Sequence, residues 1–285
     1  MTVGYKVGFY NGQWMSPDEP AVPIEERGHQ FGDGVYEVIR VYQGAPFLLQ
    51  EHLERLAKSA AAIRLQPSLS PAELELIIRT GIKKSQLQEA EVYLQLTRGV
   101  APRLHPFPDV ETAVAMTVKP ARRIAEETRT NGVAVTVMDD ERWANCHIKS
   151  LNLLPNVLAK QAAIDNGFYE AVFVKDGQIT EGSSSNLFAV KDGVLYTAPA
   201  DRKILHGITR ASLLDLAPEL GVEVREEAFT ADFLQGADEA FLTSTSMELM
   251  PVVRVDEQLI GAGKPGDVTL RLLAAYRKLY EQAEV

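Results

Sequence analysis

The chain has 285 residues, 46% of them apolar, with 29 Lys and Arg against 39 Asp and Glu and a formal net charge of −10. That balance excludes a dense basic face for a nucleic acid, so a small anionic ligand would need a local positive pocket. The length suits two medium cores better than one. The single cysteine, Cys146, rules out an internal disulfide and reads as a small buried thiol. With no charged leader and no run of about 20 apolar residues, the chain is expected to be a soluble cytoplasmic protein.

An Asn11-Gly12 turn between two apolar runs opens the chain, and VYEVIRVY (35–42) is expected to fold back on PFLL (46–49) across Gln43-Gly44. EHLERLAKSAAAIRL then places Leu53, Leu56, Ala60 and Ile63 on one helical stripe. Arg55 lies about 200° from Leu53 at roughly 100° per residue, on the side expected to face solvent. SPAELELIIRTGI reads as a second helix, opened by Ser70, Pro71 and Glu73 as a capping box. VYLQLTRG and AVAMTVKP return to strand.

KPARRIAEETRTNG (119–132) is charged, aperiodic and short of large apolar residues, as a linker would be. The expected division is therefore an N-terminal α+β domain over 1–120, a linker over 121–132 and a C-terminal domain over 133–285. In the latter, VAVTVM, AVFVKDGQIT and LFAVKDGVLYT read as strands, with turns at Asp176-Gly177 and Asp192-Gly193. Helical patterns follow Lys149, Thr209 and Asp267. Hairpins and helices without regular βαβ alternation predict an α+β fold.

Three segments carry chemistry. In HIKSLNLLPNVLAKQ, Lys149 ends a short apolar stretch before a helical pattern through Leu153, Val157 and Leu158; alone, it reads as a snorkelling surface lysine. At 181 − 149 = 32 residues further on, TEGSSSNLF sets Glu181 before a run of turn formers, which a plain turn leaves unexplained. In LHGITRASLLDL, Gly207 precedes a helix whose first turn exposes the amides of Ile208 and Thr209. That is the form of a phosphate cradle, and also of an ordinary helix start.

In this order and spacing, Lys149, EGSSSNLF and LHGITR resemble the class IV pyridoxal-phosphate aminotransferases, and RGHQFGDGVYE (27–37) is similar to the glycine-rich strand lead-in of that family. The resemblance implies the two-domain α+β fold of that family. It also implies pyridoxal 5'-phosphate carried by Lys149 as a Schiff base, with Glu181 against the ring nitrogen. Arg55, the Ile208 and Thr209 amides and Thr245 would hold the phosphate. Ser184 would join the hydrogen bonds around the ring, and Leu205 would pack on its face.

Within class IV, IKSLNLL, EGSSSN and TRGVAPRLHPFP (97–108) look most like the bacterial D-amino acid aminotransferases. That implies ping-pong transamination between D-amino acids, such as D-alanine and D-glutamate, and 2-oxo acids, such as 2-oxoglutarate and pyruvate. Arg103, His105 and Tyr36 would bind the substrate α-carboxylate, a task that suits a planar guanidinium. The resemblance further implies a homodimer, and no metal. Three readings stay open beside it: transamination of branched-chain L-amino acids or (R)-amines, aminodeoxychorismate lyase, and a non-catalytic pyridoxal-phosphate carrier.

Overall fold

The computed structural model describes residues 4–281, which divide into two compact units. One comprises the described residues up to Arg122 together with Ile148–Asn152; the other comprises Arg123–His147 and those from Leu153 onward.

The first unit holds strands β1 (Val7–Tyr10), β2 (Gln13–Met15), β3 (Gly34–Tyr42), β4 (Ala45–Pro46), β5 (Ala90–Thr97) and β6 (Ala113–Pro120) in one antiparallel sheet of order β2-β1-β6-β5-β3-β4. Its helices are α1 (Arg27–Phe31), α2 (Leu49–Ala62) and α3 (Pro71–Ser85). Ile39 of β3, Leu94 of β5, Leu56 of α2 and Ile78 of α3 meet in the core. Fully burying each such side chain stabilises by about 2 kcal/mol. The Ser70/Glu73 capping box forms as predicted, and Asn11-Gly12 and Gln43-Gly44 turn with both residues at positive φ. Such turns match the twist of the strands they join.

Three expectations for this unit need correction. The strand after Gln43-Gly44 ends at Pro46, because Leu48 and Leu49 already start α2. RGHQF is a short helix, α1, rather than part of a strand lead-in; Glu26 caps it by accepting from the His29 amide. Arg55 is not solvated: its guanidinium turns onto the buried Glu37.

The second unit contains α4 (Glu126–Asn131), β7 (Val133–Asp139), α5 (Leu154–Asp165), β8 (Glu170–Lys175), β9 (Gln178–Gly182), β10 (Asn186–Lys191), β11 (Val194–Thr197), α6 (Ile208–Glu219), β12 (Val224–Glu226), α7 (Ala231–Gln235), β13 (Glu239–Ser244), β14 (Glu248–Val255), β15 (Gln258–Leu259) and α8 (Asp267–Glu281). The sheet runs β12-β11-β10-β13-β14-β7-β8-β9, with β15 beside β14. It mixes antiparallel hairpins with parallel pairs, and β7-α5-β8 is a parallel crossover that the sequence reading did not anticipate. Phe188 and Phe241 stack across β10 and β13, their ring centroids 4.9 Å apart.

The charged 119–132 segment is not structureless. It finishes β6 and forms α4, whose Arg129 is buried and donates to the carbonyls of Met247 and Leu249. Charge that looked like solvated linker is here a fixed internal brace.

Candidate active site

In the first unit, Lys149 lies on a five-residue stretch drawn against β3. Its carbonyl accepts from the Tyr36 amide (3.0 Å), the Leu151 amide donates to the Gly34 carbonyl (3.0 Å), and the Lys149 amide donates to Ser59 Oγ (3.2 Å). With the backbone held at three points, only the side chain is free to move. Its Nζ stands 4.3 Å from the centroid of the Tyr36 ring, and among the described residues no carboxylate lies within ion-pair distance of it. An amine without an anionic partner is available for covalent bonding.

Beside it lies a group that the sequence reading missed. On β3, Val35, Glu37, Ile39 and Val41 all face the interior, so a carboxylate stands among core side chains. Arg55 grips it with two 2.7 Å bonds, Nε to Oε1 and Nη2 to Oε2, and His52 Nδ1 donates to Oε2 at 2.7 Å. Burial alone would raise the Glu37 carboxyl, but these donors outweigh it and bring its pKa to about 2. Burial pushes the His52 imidazole pKa down, and its Nδ1–H hydrogen-bonds the carboxylate. His52, Arg55 and Ser59 recur at i, i+3 and i+7 on α2. That polar stripe, facing an acid on the core face of a strand, was the signal to read.

The remaining residues expected in this unit separate into two places. Tyr36 stacks on Tyr93 (5.6 Å between centroids) and faces Lys149. Arg103 and His105 lie exposed on the loop after β5, where both pack on Phe31, at 4.8 and 5.7 Å. Among the described residues, no hydrogen bond or ring contact joins Tyr36 to either of them.

In the second unit, Glu181 ends β9 almost fully buried. Oε1 accepts from Arg142 Nη1 (2.6 Å), Oε2 from Asn186 Nδ2 (3.0 Å), and the Leu205 amide reaches both. Burial nevertheless pushes its pKa up to about 7 against the pull of Arg142 and that amide. Arg142 is itself forked onto Asp140 (2.9 and 2.8 Å), so one guanidinium bridges two carboxylates. What Leu205 supplies to Glu181 is its backbone amide. Ser184 is tied to a different acid: its amide and hydroxyl bond Glu170, buried and paired with Lys160.

Gly207 precedes α6, and no side chain caps that helix. By helix geometry its first amides have no partner within the helix. A Cβ at Gly207 would sit 2.0 Å from Asn186 Oδ1, so a side chain there would have to displace the Asn186 amide. Thr209 is buried, with Oγ1 3.4 Å from the Tyr276 hydroxyl. Arg210 turns away, to the Ala198 carbonyl and Glu226. Thr245 is half-buried in the turn between β13 and β14.

Taken unit by unit, the groups present are of the kinds pyridoxal phosphate requires: an amine without a carboxylate partner in the first unit, and a buried carboxylate and an uncapped helix start in the second. The sequence model of the family described as amino-transferase class IV matches residues 34–255, from the first residue of β3 to the last of β14.

The chain is a class IV aminotransferase. It is 46% identical over 271 residues to a D-alanine aminotransferase from Bacillus licheniformis, covering 93% of this chain and 94% of that one. It is 43% identical over 279 residues to a D-alanine aminotransferase from Staphylococcus aureus (strain N315), covering 97% and 99%. The solved branched-chain amino acid aminotransferase from Escherichia coli superposes with a TM-score of 0.89 at 31% identity, covering 97% of this chain and 94% of that one. As a class IV aminotransferase, the chain uses pyridoxal 5'-phosphate and has the α+β fold expected of it.

Proposed function

We propose that this aminotransferase moves the amino group of a D-amino acid, such as D-alanine, to a 2-oxo acid, such as 2-oxoglutarate or pyruvate. The observation that carries this reading is the 46% and 43% identity, over nearly the whole chain, to two D-alanine aminotransferases.

Bound pyridoxal phosphate supplies an electron sink for the charge that develops at the substrate α-carbon. Lys149 would bond the cofactor through its amine and, once displaced, carry the α-proton. Its anchored backbone and unpaired Nζ support that role. Glu181 would face the ring nitrogen and hold a proton there, with Arg142, Asn186 and the Leu205 amide fixing its orientation. The Ile208 and Thr209 amides would receive the phosphate, with Thr245 and Arg55 as further donors; Arg55 would then serve phosphate and Glu37 together. Ser184 would support the ring through the Glu170 network. Arg103, His105 and Tyr36 would bind the substrate carboxylate.

Transamination of branched-chain L-amino acids is the second reading, favoured by the fold match to the Escherichia coli enzyme, and its lower identity places it behind. Initial rates with D-alanine and L-leucine as donors to 2-oxoglutarate separate the two. Parallel initial-rate plots for D-alanine are expected; converging plots, or turnover of L-leucine alone, would overturn the first reading. A Lys149→Ala protein that kept the visible absorption of lysine-bound cofactor would overturn the role of that lysine.

A homodimer belongs to the same proposal. Leu154, Val157, Leu158 and Ile164 leave an apolar stripe on α5 exposed, and Trp143 is 42% exposed. A second copy of the chain would cover such a face. Sedimentation at the mass of one chain would refute it. A cytoplasmic location is also proposed, in keeping with one free cysteine; no helix among the described residues is long and apolar enough to cross a membrane.

A further inference from the structure

The loop between β5 and β6 carries Arg103 and His105, yet little apolar burial fixes its tip: Leu104 is 65% exposed and Phe107 51%. Polar ties do that work. The neck closes where Gly99, at φ +96, passes the Glu111 carbonyl so closely that a Cβ would stand 2.1 Å from it. Ser68 and Thr112 bond each other reciprocally, amide to hydroxyl, beside this neck.

At the root of the loop, Arg98 is buried. Its Nε donates to both oxygens of Asp33 (3.0 and 2.9 Å), its terminal nitrogens donate to the carbonyls of Arg64 and Ile63 at the end of α2, and its guanidinium lies 3.7 Å from the Phe107 ring centroid. At the tip, Arg27 of α1 is 3% exposed. Its Nε bonds the same Asp33 (2.9 Å), and its Nη1 donates to the carbonyl of Leu104 at 2.6 Å. That carbonyl belongs to the residue between Arg103 and His105. Phe31 of the same short helix underlies all three cationic or ring groups, with Arg27 and Arg103 each 4.8 Å from its centroid.

We propose that Arg27, locked by Asp33, is a positioning residue that sets the register of Arg103 and His105, and so the affinity for a substrate carboxylate. This rests on the reading of Arg103 and His105 as carboxylate-binding residues. A buried guanidinium satisfied by a carboxylate at one edge and a carbonyl at the other has one low-energy placement, and it passes that placement to the peptide it holds. Because Asp33 also holds Arg98, root and tip of the loop move together or not at all.

The test uses the holoenzyme and single-turnover bleaching of the cofactor by D-alanine and by D-alaninol, which lacks the carboxylate. For Arg27→Gln the apparent dissociation constant of D-alanine is expected to rise about tenfold or more, with the limiting rate and the D-alaninol reaction nearly unchanged. Equal weakening toward both amines would overturn the proposal, since it would mark a general structural role. The double variant Arg27→Gln/Arg103→Ala is expected to lose less D-alanine affinity than the two single losses combined, because only His105 is left to position, and fully additive losses would also overturn the proposal. Should Arg27→Gln not fold, Arg27→Lys keeps the charge against Asp33 without the fork and is expected to show the same selective loss, less severely; no selective loss there overturns the proposal. An unchanged D-alanine affinity in Arg103→Ala alone would instead sink the carboxylate reading, and this inference with it.

Discussion

Arg142 donates to Glu181 at 2.6 Å while its other edge is held by Asp140, which makes the guanidinium the only cation bonded to a carboxylate buried at the end of β9 among the described residues. Removing it would leave that charge without a counter-ion in a low-dielectric site. Such losses typically cost about 3 kcal/mol or more. Arg142→Met is therefore expected to unfold at a clearly lower denaturant concentration, and its Glu181 to become protonated at neutral pH. Denaturation curves and the cofactor's visible spectrum check both parts.

Replacing Glu181 with Gln keeps the shape and the Leu205 amide contact but removes the negative charge that would hold a proton on the ring nitrogen. Turnover with D-alanine is expected to fall about 100-fold, equivalent to about 2.7 kcal/mol of barrier. Cofactor affinity, measured by dialysis against free pyridoxal phosphate, should change far less. A loss of affinity as large as the loss of turnover would count against a charge role.

The Glu37 cluster predicts a stability change with pH. Its folded pKa, about 2, lies below the ordinary 4.5. The unfolded chain therefore binds more protons in that interval, and the contribution is fully present above pH 4.5 and lost as the pH falls through 2. The shift is equivalent to about 3 kcal/mol. Urea titrations at pH 3 and pH 6 should separate wild type from Glu37→Gln, which is expected to show the shallower acid dependence. Glu181 acts with the opposite sign: its raised pKa means stability that declines as the pH rises from 4.5 through about 7.

Gly207→Ala tests the helix start. The new methyl would occupy the place of Asn186 Oδ1, and Asn186 also donates to Glu181 and to the Leu205 carbonyl. Weaker cofactor binding, by about tenfold or more, is expected together with a stability loss of about 1–3 kcal/mol. Dialysis and thermal unfolding measure the two; an unaltered protein would show that the close approach at Gly207 is unimportant.

The sequence by itself determined what depends on neighbours along the chain. The paired positive-φ turns at Asp176-Gly177 and Asp192-Gly193 follow from two-residue loops between strands, and the start of α3 follows from Ser70, Pro71 and Glu73, because these structures close within four residues. Lys149, Glu181 and Gly207 were legible through their order and spacing, each carrying its own local motif. Helix α1 was not legible: at five residues it is too short for a helical period to show, and it is held by its Glu26 cap.

Only the tertiary structure decided which charges meet. Arg142 lies 39 residues from Glu181, and the pairing of β7 with β8 and of β8 with β9 brings their strand ends together. Arg27 lies 77 residues from the Leu104 carbonyl it holds. A single guanidinium has no periodicity to betray its partner. Its choice is made by sheet register and by the cost of leaving any buried charge unmatched.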